Sequence, residues 1–276
     1  MVKKSTRPLL LVTLKKIKFL SVILILFFLC EPILVLATSV RSSSANGASA
    51  GTAITVSAPS GTTAGDVVIV LVHVNGQTTL VDNNGSTPFT EDIDDSKPNP
   101  LQGHTVSIFS RRIQSGDPTT YAFTSGVSGR WAATAITISE PNASTIYDVA
   151  PNTSGGRTNE DDTSSTTMGT PSITTLTDGA INIIAVFWDA NTITGTHTPP
   201  SGWTSLANYT GSVTEPITSS YKVITPAGST GAQTDTNSNG SLARQAFSFA
   251  IKPAATVTTA RLIRLKNARL KNARLR

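Results

Sequence analysis

The chain has 276 residues, of which 14% are charged, and a formal net charge of +5. That length suits one large domain or two small packed halves. The charge is unevenly distributed: residues 1–37 carry +5, residues 38–260 carry −7 and residues 261–276 carry +7. The acidic body argues against nucleic-acid binding by the folded domain, because attraction to phosphates requires positive charge on the contacting face.

Residues 1–37 have the three parts of a secretory signal peptide. A basic region precedes the apolar stretch Phe19–Cys30, and small residues end the segment at Ala37. We expect a signal helix that is cleaved after Ala37, which places the protein outside the cell or at the cell surface. The alternative is an uncleaved anchor, since residues 19–37 are nearly long enough to span a bilayer. Glu31 would oppose that anchor at a cost of roughly a few kcal/mol.

Residues 38–52 are rich in Ser, Ala, Gly and Asn without periodicity, and they predict a flexible lead-in. Residues 66–74 are apolar at nearly every position, as in a central strand that is buried on both faces. Turn residues separate this segment from other strand patterns, and no segment shows sustained helical periodicity. The further strands are predicted at 54–58, 104–113, 119–124, 129–139, 180–188, 203–209, 218–224 and 242–251.

The strand pattern occurs twice, at an offset of about 113 positions. Val67–Asn75 aligns with Ile181–Asp189, and Trp131–Ser139 aligns with Ala243–Ile251. About four strands per copy predict an all-β fold: an antiparallel jelly-roll β-sandwich over 53–255, built from two duplicated halves. The expected halves are 53–151 and 168–255, the polar segment 152–167 is a surface connection, and 256–276 is a basic low-complexity tail.

Three turn-rich motifs carry a resemblance to a known group of proteins. They are Ser60-Gly61-Thr62-Thr63-Ala64-Gly65-Asp66, Gly129-Arg130-Trp131-Ala132 and Pro199-Pro200-Ser201-Gly202-Trp203. Residues 50–253 resemble secreted bacterial and phage-tail-associated jelly-roll domains of the concanavalin A-like kind. The resemblance implies this fold and export, and it transfers no catalytic residue.

Aromatic side chains are the natural candidates for stacking on sugars. Two pairs, Phe89 with Trp203 and Phe109 with Tyr221, fall at similar places in the two copies, which favours shared core positions. Trp188 beside Asp189 is the best remaining platform, because an aromatic face next to a hydrogen-bonding acid suits a sugar. Tyr209 is a further candidate ligand-binding residue.

The densest acidic run is Glu91-Asp92-Ile93-Asp94-Asp95. On a strand, Asp92 and Asp94 would share a face, and with Asp95, Asp82 or loop carbonyls they could bind Ca²⁺. The alternative is a solvated acidic loop. No other cofactor is expected.

Chemistry-bearing motifs are otherwise scarce. Cys30 is the only cysteine and lies in the predicted leader, so thiol catalysis and cysteine-ligated metals are excluded from the mature chain. His73, His104 and His197 are too scattered to predict a zinc site. The Gly-x-Ser-x-Gly pattern occurs only at 47–51, in the predicted lead-in and without the strand and helix that flank a nucleophile elbow. No phosphate-binding loop is present, and we therefore do not expect an enzyme.

The tail 261–276 contains Lys-Asn-Ala-Arg-Leu twice. Leu265, Leu270 and Leu275 are five residues apart, a spacing that cannot form one apolar stripe on a helix. The tail could contact an anionic surface, or it could be an extension without selected function.

These features predict a secreted or surface-associated, non-catalytic β-sandwich that acts as an adhesion or carbohydrate-binding module, with an extracellular glycan as its partner. The alternative is a structural subunit of an extracellular filament, surface layer or phage-tail-like assembly, in which edge strands and residues 38–52 pair with neighbouring subunits. A glycan-active enzyme that uses Asp92 and Asp94 ranks third.

Overall fold

A computed structural model of the protein describes residues 37–85, 87–97, 103–152, 156–160, 165–188, 196–209, 215–241 and 244–255. These residues form seventeen strands and no helix. The first half contains β1 (Ser39–Ala48), β2 (Ala53–Ser57), β3 (Val67–Asn75), β4 (Leu80–Asp82), β5 (Thr90–Lys97), β6 (His104–Arg112), β7 (Thr120–Ser125) and β8 (Trp131–Ser139). The connecting strand is β9 (Tyr147–Val149). The second half contains β10 (Arg157–Glu160), β11 (Ser165–Thr170), β12 (Ala180–Trp188), β13 (His197–Thr198), β14 (Thr204–Ser205), β15 (Ile217–Ile224), β16 (Gln233–Ser241) and β17 (Arg244–Ile251).

The two halves have the same strand order. The first half has an inner sheet in the order β1-β8-β3-β6-β5 and an outer sheet in the order β2-β7-β4. The second half repeats this arrangement as β10-β17-β12-β15-β14 and β11-β16-β13. The predicted all-β, antiparallel, duplicated fold is confirmed. The expected four strands per copy is wrong, because each copy has eight strands in two sheets of its own.

The apolar strands predicted from the repeat lie at the centre of the two inner sheets. In β3, Val67, Ile69 and Leu71 contact the other half, whereas alternate residues such as Val70 face the outer sheet of their own half. Strand β12 occupies the corresponding place, with both of its faces buried. Because successive side chains of a strand point to opposite faces, one strand contributes apolar residues to two cores, and this explains the unbroken apolar run.

The inner sheets of the two halves pack face to face and share one central core. Its buried members from both halves are Val67, Ile69, Leu71, Ile93, Val106, Ile108, Ala132, Ile136, Ile138, Ile181, Ile183, Ala185, Phe187, Leu206, Ile217, Phe247, Phe249 and Ile251. The halves are accordingly parts of one packed body rather than independent beads.

Residues 38–52, predicted to be a flexible lead-in, instead contain β1. This strand pairs with β8 along its whole length. The side chains of Ser42, Ser44 and Asn46 donate hydrogen bonds to backbone carbonyls at Ser60, Ser57 and Thr55, at the edge of the outer sheet. The strand was missed because its polar residues serve backbone groups, so it has no apolar face to detect. β1 lies at the edge of its sheet, and pairing of this edge with a neighbouring subunit stays a prediction.

The predicted surface connection 152–167 is also partly wrong. Residues 157–160 form β10, which pairs with β17, and β11 begins at Ser165. These are the first two strands of the second half, in the places that β1 and β2 occupy in the first. Their short length and polar composition hide them from a periodicity search.

A substitution at Gly47 tests whether β1 packs against the rest of the folded protein. A Cβ atom there would lie 2.5 Å from Cε1 of Tyr209 and 2.7 Å from the carbonyl oxygen of Trp131. We expect Gly47→Ala to lower the free energy of unfolding by about 1–3 kcal/mol, because one contact is with backbone that cannot turn aside. Urea denaturation measures this, with Ala45→Gly as a control for the backbone entropy of the strand. A change below about 0.5 kcal/mol would mean that β1 is not packed as described.

The predicted signal helix and the basic tail lie almost wholly outside the described residues. Within the part of the chain that the structure describes, no helix is long and apolar enough to cross a membrane.

Candidate functional site

The interiors of the two halves differ in chemistry. Between the sheets of the first half, the apolar cluster includes the aromatic rings of Phe89, Phe109, Tyr121 and Phe123. The apolar cluster that contains Trp188 in the second half has only three other members among the described residues: Met168, Val186 and Ala246. Polar side chains occupy much of the remaining interior there.

Strand pairing shows which residues changed. In the first half, Leu80 pairs with Ser125 at the start of β4, and Phe123 is the next inward residue of β7. In the second half, the same places hold His197, Asn237 and Asp235. A buried Leu–Phe combination is therefore replaced by a histidine and a carboxylate. Burying such groups costs free energy unless they are hydrogen-bonded, so this exchange marks a candidate functional site.

Asp235 is the centre of the polar network. Its Oδ1 atom lies 2.7 Å from Nε2 of His197, and its Oδ2 atom accepts a 2.7 Å hydrogen bond from the Thr218 hydroxyl. Thr218 in turn accepts a 2.9 Å hydrogen bond from the indole N–H of Trp188. Strands from both sheets contribute these groups, and the network therefore ties the inner sheet to the outer sheet.

The network reaches the surface at the sheet edges formed by β13 and β14. Asp235 is 1% exposed and the His197 side chain 3% exposed, whereas Ser205 is exposed. The Ser205 hydroxyl lies 3.2 Å from Nδ1 of His197, and the Asn208 amide nitrogen lies 2.9 Å from both atoms. This buried-to-exposed series of four side chains is called the Asp235 network below.

The predicted sugar platform at Trp188 is wrong. Its side chain is fully buried, and its N–H group donates to Thr218, so it has no face free for stacking. Alternation in β12 turns Trp188 toward the interior of the second half, where the first half has Val74. Asp189 lies outside the described residues.

Tyr209, a predicted ligand-binding residue, uses both its ring and its hydroxyl for contacts within the protein. Its ring packs against the central core, and its hydroxyl donates a 3.1 Å hydrogen bond to the carbonyl of Gly47 in β1. It therefore joins the second half to the first, although it follows Asn208 of the Asp235 network in sequence.

The structure does not bring Asp92, Asp94 and Asp95 together around one point. Asp92 accepts a 2.6 Å hydrogen bond from the Tyr147 hydroxyl, Asp94 is exposed, and Asp95 is buried against Gln245. A bulge between Glu91 and Ile93 interrupts the regular pairing of β5. Burial raises the pKa of Asp92, and hydrogen bonds from Tyr147 and Ser110 partly oppose that rise. No group of three or more metal-ligating side chains is arranged around a metal position within the described ranges.

A second polar group, the central polar cluster, lies between the halves and consists of His73, His104, Arg130 and Glu215. His73 is 1% exposed and Glu215 is fully buried, and their nearest side-chain atoms are 4.0 Å apart. Arg130 holds Glu215 with two nitrogens, Nε and Nη2, each 2.9 Å from Oε1. Burial lowers the pKa of His73 well below 6.5, and the nearby His104 and Arg130 lower it further, while the Pro216 carbonyl opposes them.

An open depression of about 500 Å³ lies in the first half, lined on one side by 83–85 and Thr87 and on the other by 114–118. Its carboxylate, Asp117, is already engaged by the side chains of Arg111 and Thr87 and by the Gln114 backbone. The polar groups of this depression therefore serve the turns that form it, and it is a weaker candidate than the Asp235 network.

Sequence reasoning missed His197, Ser205, Asn208 and Asp235 as a site. They are spread over nearly 40 positions and carry no local motif. Aligning the two copies through β4 and β7 would have paired Leu80 with His197 and Phe123 with Asp235. That loss of apolar character in one copy was the available signal.

Comparison with protein-family models, curated proteins and solved structures finds no match to this chain. The resemblance to concanavalin A-like jelly-roll domains therefore has no support beyond the motifs that suggested it.

Proposed function

We propose that the protein is an exported, surface-associated carbohydrate-binding module whose ligand binds at the exposed end of the Asp235 network. The observation that carries the proposal is the exchange of Leu80 and Phe123 in the first half for His197 and Asp235 in the second. Buried polar networks are often less stabilising than apolar packing of the same volume. Replacement of apolar by polar side chains is therefore expected where a surface must offer hydrogen bonds to a ligand.

The exposed end of the network suits a hydroxyl-rich ligand. Ser205 offers a hydroxyl group, and the Asn208 amide is held in place because its oxygen accepts a 2.7 Å hydrogen bond from the Ser219 backbone N–H. Trp203, in the turn before β14, is anchored through its indole N–H to Gln233. Fixed donors and acceptors reduce the ordering cost of binding, as a sugar site requires.

An array of plant, bacterial and host glycans, followed by calorimetry on the strongest ligand, tests the proposal. We expect Ser205→Ala to weaken binding about 5–10-fold, which corresponds to one lost hydrogen bond of about 1–1.4 kcal/mol. Thr90→Ala is the control, since Thr90 is exposed on β5, the strand of the first half that corresponds to β14. A blank array, or equal weakening by both substitutions, would remove the proposal.

We also infer that each half is a complete jelly roll. With the strands of a half counted from one to eight, the inner sheet has the order 1-8-3-6-5 and the outer sheet 2-7-4. Eight antiparallel strands divided between two facing sheets are typical of that fold. Here the fifth strand pairs with the sixth in the inner sheet. An experimental structure that splits the strands differently would contradict this inference.

A further inference from the structure

The geometry points to an activity for the Asp235 network that goes beyond binding. We propose that the network hydrolyses an ester, with Ser205 as the nucleophile, His197 as the general base and Asp235 as the carboxylate that orients His197. The hydroxyl, imidazole and carboxylate lie in that order, with separations of 3.2 Å and 2.7 Å. A serine relay is recognised by this geometry and these roles rather than by sequence position. This explains how such a site could exist at Ser205, which lies outside any Gly-x-Ser-x-Gly motif.

The tautomer of His197 is fixed by its neighbours. The Ser219 backbone N–H donates to Oδ1 of Asn208, which turns the Asn208 NH₂ group toward His197. Nδ1 of His197 therefore accepts a hydrogen bond and carries no proton, and Nε2–H points at Asp235. The unprotonated Nδ1 lies 3.2 Å from Ser205 Oγ, within the distance that proton abstraction from a hydroxyl requires.

The acid of the relay is equally constrained. Asp235 is 1% exposed, and its second oxygen is held by Thr218, which Trp188 holds in turn. A carboxylate fixed in this way orients the imidazole and stabilises the imidazolium that forms when the hydroxyl loses its proton. Asp235 and His197 lie on neighbouring strands of the outer sheet, and among the three relay residues only Ser205 is exposed to solvent.

The reaction needs no partner other than water. As Ser205 Oγ attacks the ester carbonyl carbon, its proton passes to Nδ1 of His197, and negative charge develops on the carbonyl oxygen. The Asn208 amide nitrogen lies 2.9 Å from both Ser205 Oγ and His197 Nδ1 in the free protein, and in the proposed reaction its N–H donates to the carbonyl oxygen and stabilises it. The ester C–O bond then breaks, and the departing alcohol takes the proton from His197. Water attacks the acyl group on Ser205 by the same route and releases the carboxylic acid.

In the resting state the Ser205 hydroxyl also lies 3.2 Å from the Leu206 carbonyl. That contact and the hydrogen bond from Asn208 hold the hydroxyl beside His197 until a substrate displaces them. The substrate class rests on the proposed function: the ligand of a carbohydrate site that carries an ester is an O-acylated sugar. The relay itself is independent of that assignment.

Labelling of the full-length protein with a fluorophosphonate, and its hydrolysis of 4-nitrophenyl acetate, test the relay directly. We expect a mass adduct on Ser205, and a rate of nitrophenolate release that falls at least about 100-fold in Ser205→Ala and in His197→Gln. Ser201→Ala is the matched control, since Ser201 is exposed in the preceding turn, and it should label and hydrolyse as the parent protein does.

Absence of an adduct on Ser205 in protein with an intact β-sheet circular dichroism spectrum would overturn the relay. Hydrolysis that persists in Ser205→Ala would do the same. The two proposals fail separately: a blank glycan array with Ser205 labelled removes only the carbohydrate site, whereas glycan binding without labelling removes only the relay. Release of acetate from acetylated xylan, but not from an acetylated peptide, would support the sugar ester as substrate.

Discussion

Replacing Arg130 with methionine is expected to lower the free energy of unfolding by about 3–5 kcal/mol, because it removes the guanidinium that holds a buried carboxylate. Glu215 is fully buried, and two Arg130 nitrogens lie 2.9 Å from one of its oxygens. Methionine retains much of the apolar stem and lacks the charge. The loss therefore reports on the ion pair rather than on a cavity.

The position of this ion pair makes its loss consequential for the whole body. Arg130 precedes β8 in the first half, and Glu215 precedes β15 in the second. Their contact joins the two halves. Destabilisation should accordingly appear as one cooperative unfolding transition at lower urea concentration rather than as unfolding of one half alone.

The double variant Arg130→Met with Glu215→Gln is the control. Without the carboxylate there is no buried charge to compensate, and we expect the double variant to recover at least half of the loss. Urea titration followed by tryptophan fluorescence measures all three proteins. If the double variant is less stable than Arg130→Met, the cost lies in packing and not in an uncompensated charge.

The part of the fold that could be predicted from the sequence is the part governed by burial on both faces. Strands β3 and β12 were predicted from unbroken apolar runs, and β8 and β17 from long alternating segments. These four strands lie in the middle of the inner sheets, where hydrophobic pattern and structure must agree. An edge strand such as β1 has no such constraint, since its polar side chains serve backbone groups and solvent.

The predicted correspondence of aromatic residues between the two copies depends on aligning the copies to the exact residue. Phe89 and Trp203 do correspond, because each precedes the fifth strand of its half and is buried there. Phe109 and Tyr221 do not: Phe109 faces the outer sheet of its half, whereas Tyr221 packs against the central core. A difference of one residue between the copies turns a side chain to the other face of the sheet.

The candidate site could not be located from the sequence for a related reason. Strands β13 and β14 have two residues each, too few to show a period. His197 and Ser205 lie eight positions apart, and Asp235 becomes their neighbour only through pairing of β13 with β16. Prediction from local pattern cannot supply that pairing, whereas comparison of the duplicated halves can.

Acidification is expected to destabilise the protein through His73, and this effect should disappear in a His73→Leu variant. The pKa of His73 in the folded protein is well below 6.5, chiefly because of burial, whereas the unfolded chain takes up the proton near pH 6.5. Between those two pKa values only the unfolded state is protonated. Stability therefore falls by about 1.4 kcal/mol for each pH unit below about 6.5, and it is unaffected by His73 above that pH.

Burial of His73, set against the charged and polar groups around it, decides whether its protonation stabilises or destabilises the protein. His104 and Arg130 oppose its protonation from the first half, while the Glu215 carboxylate and the Pro216 carbonyl favour it from the second. Burial of the side chain outweighs these two favourable contacts. Protonation of His73 would thus place an added positive charge in the seam between the halves, beside Phe187 and the central core.

Urea unfolding at a series of pH values between about 7.5 and 5.5 measures the effect. Glu91 and Asp92, whose pKa values burial raises, are present in both proteins, and their contributions cancel in the comparison. We expect the parent protein to lose stability over the interval while His73→Leu loses at least about 1 kcal/mol less. Equal losses in the two proteins would show that His73 is already accommodated in its charged form, and that the seam between the halves is insensitive to its protonation.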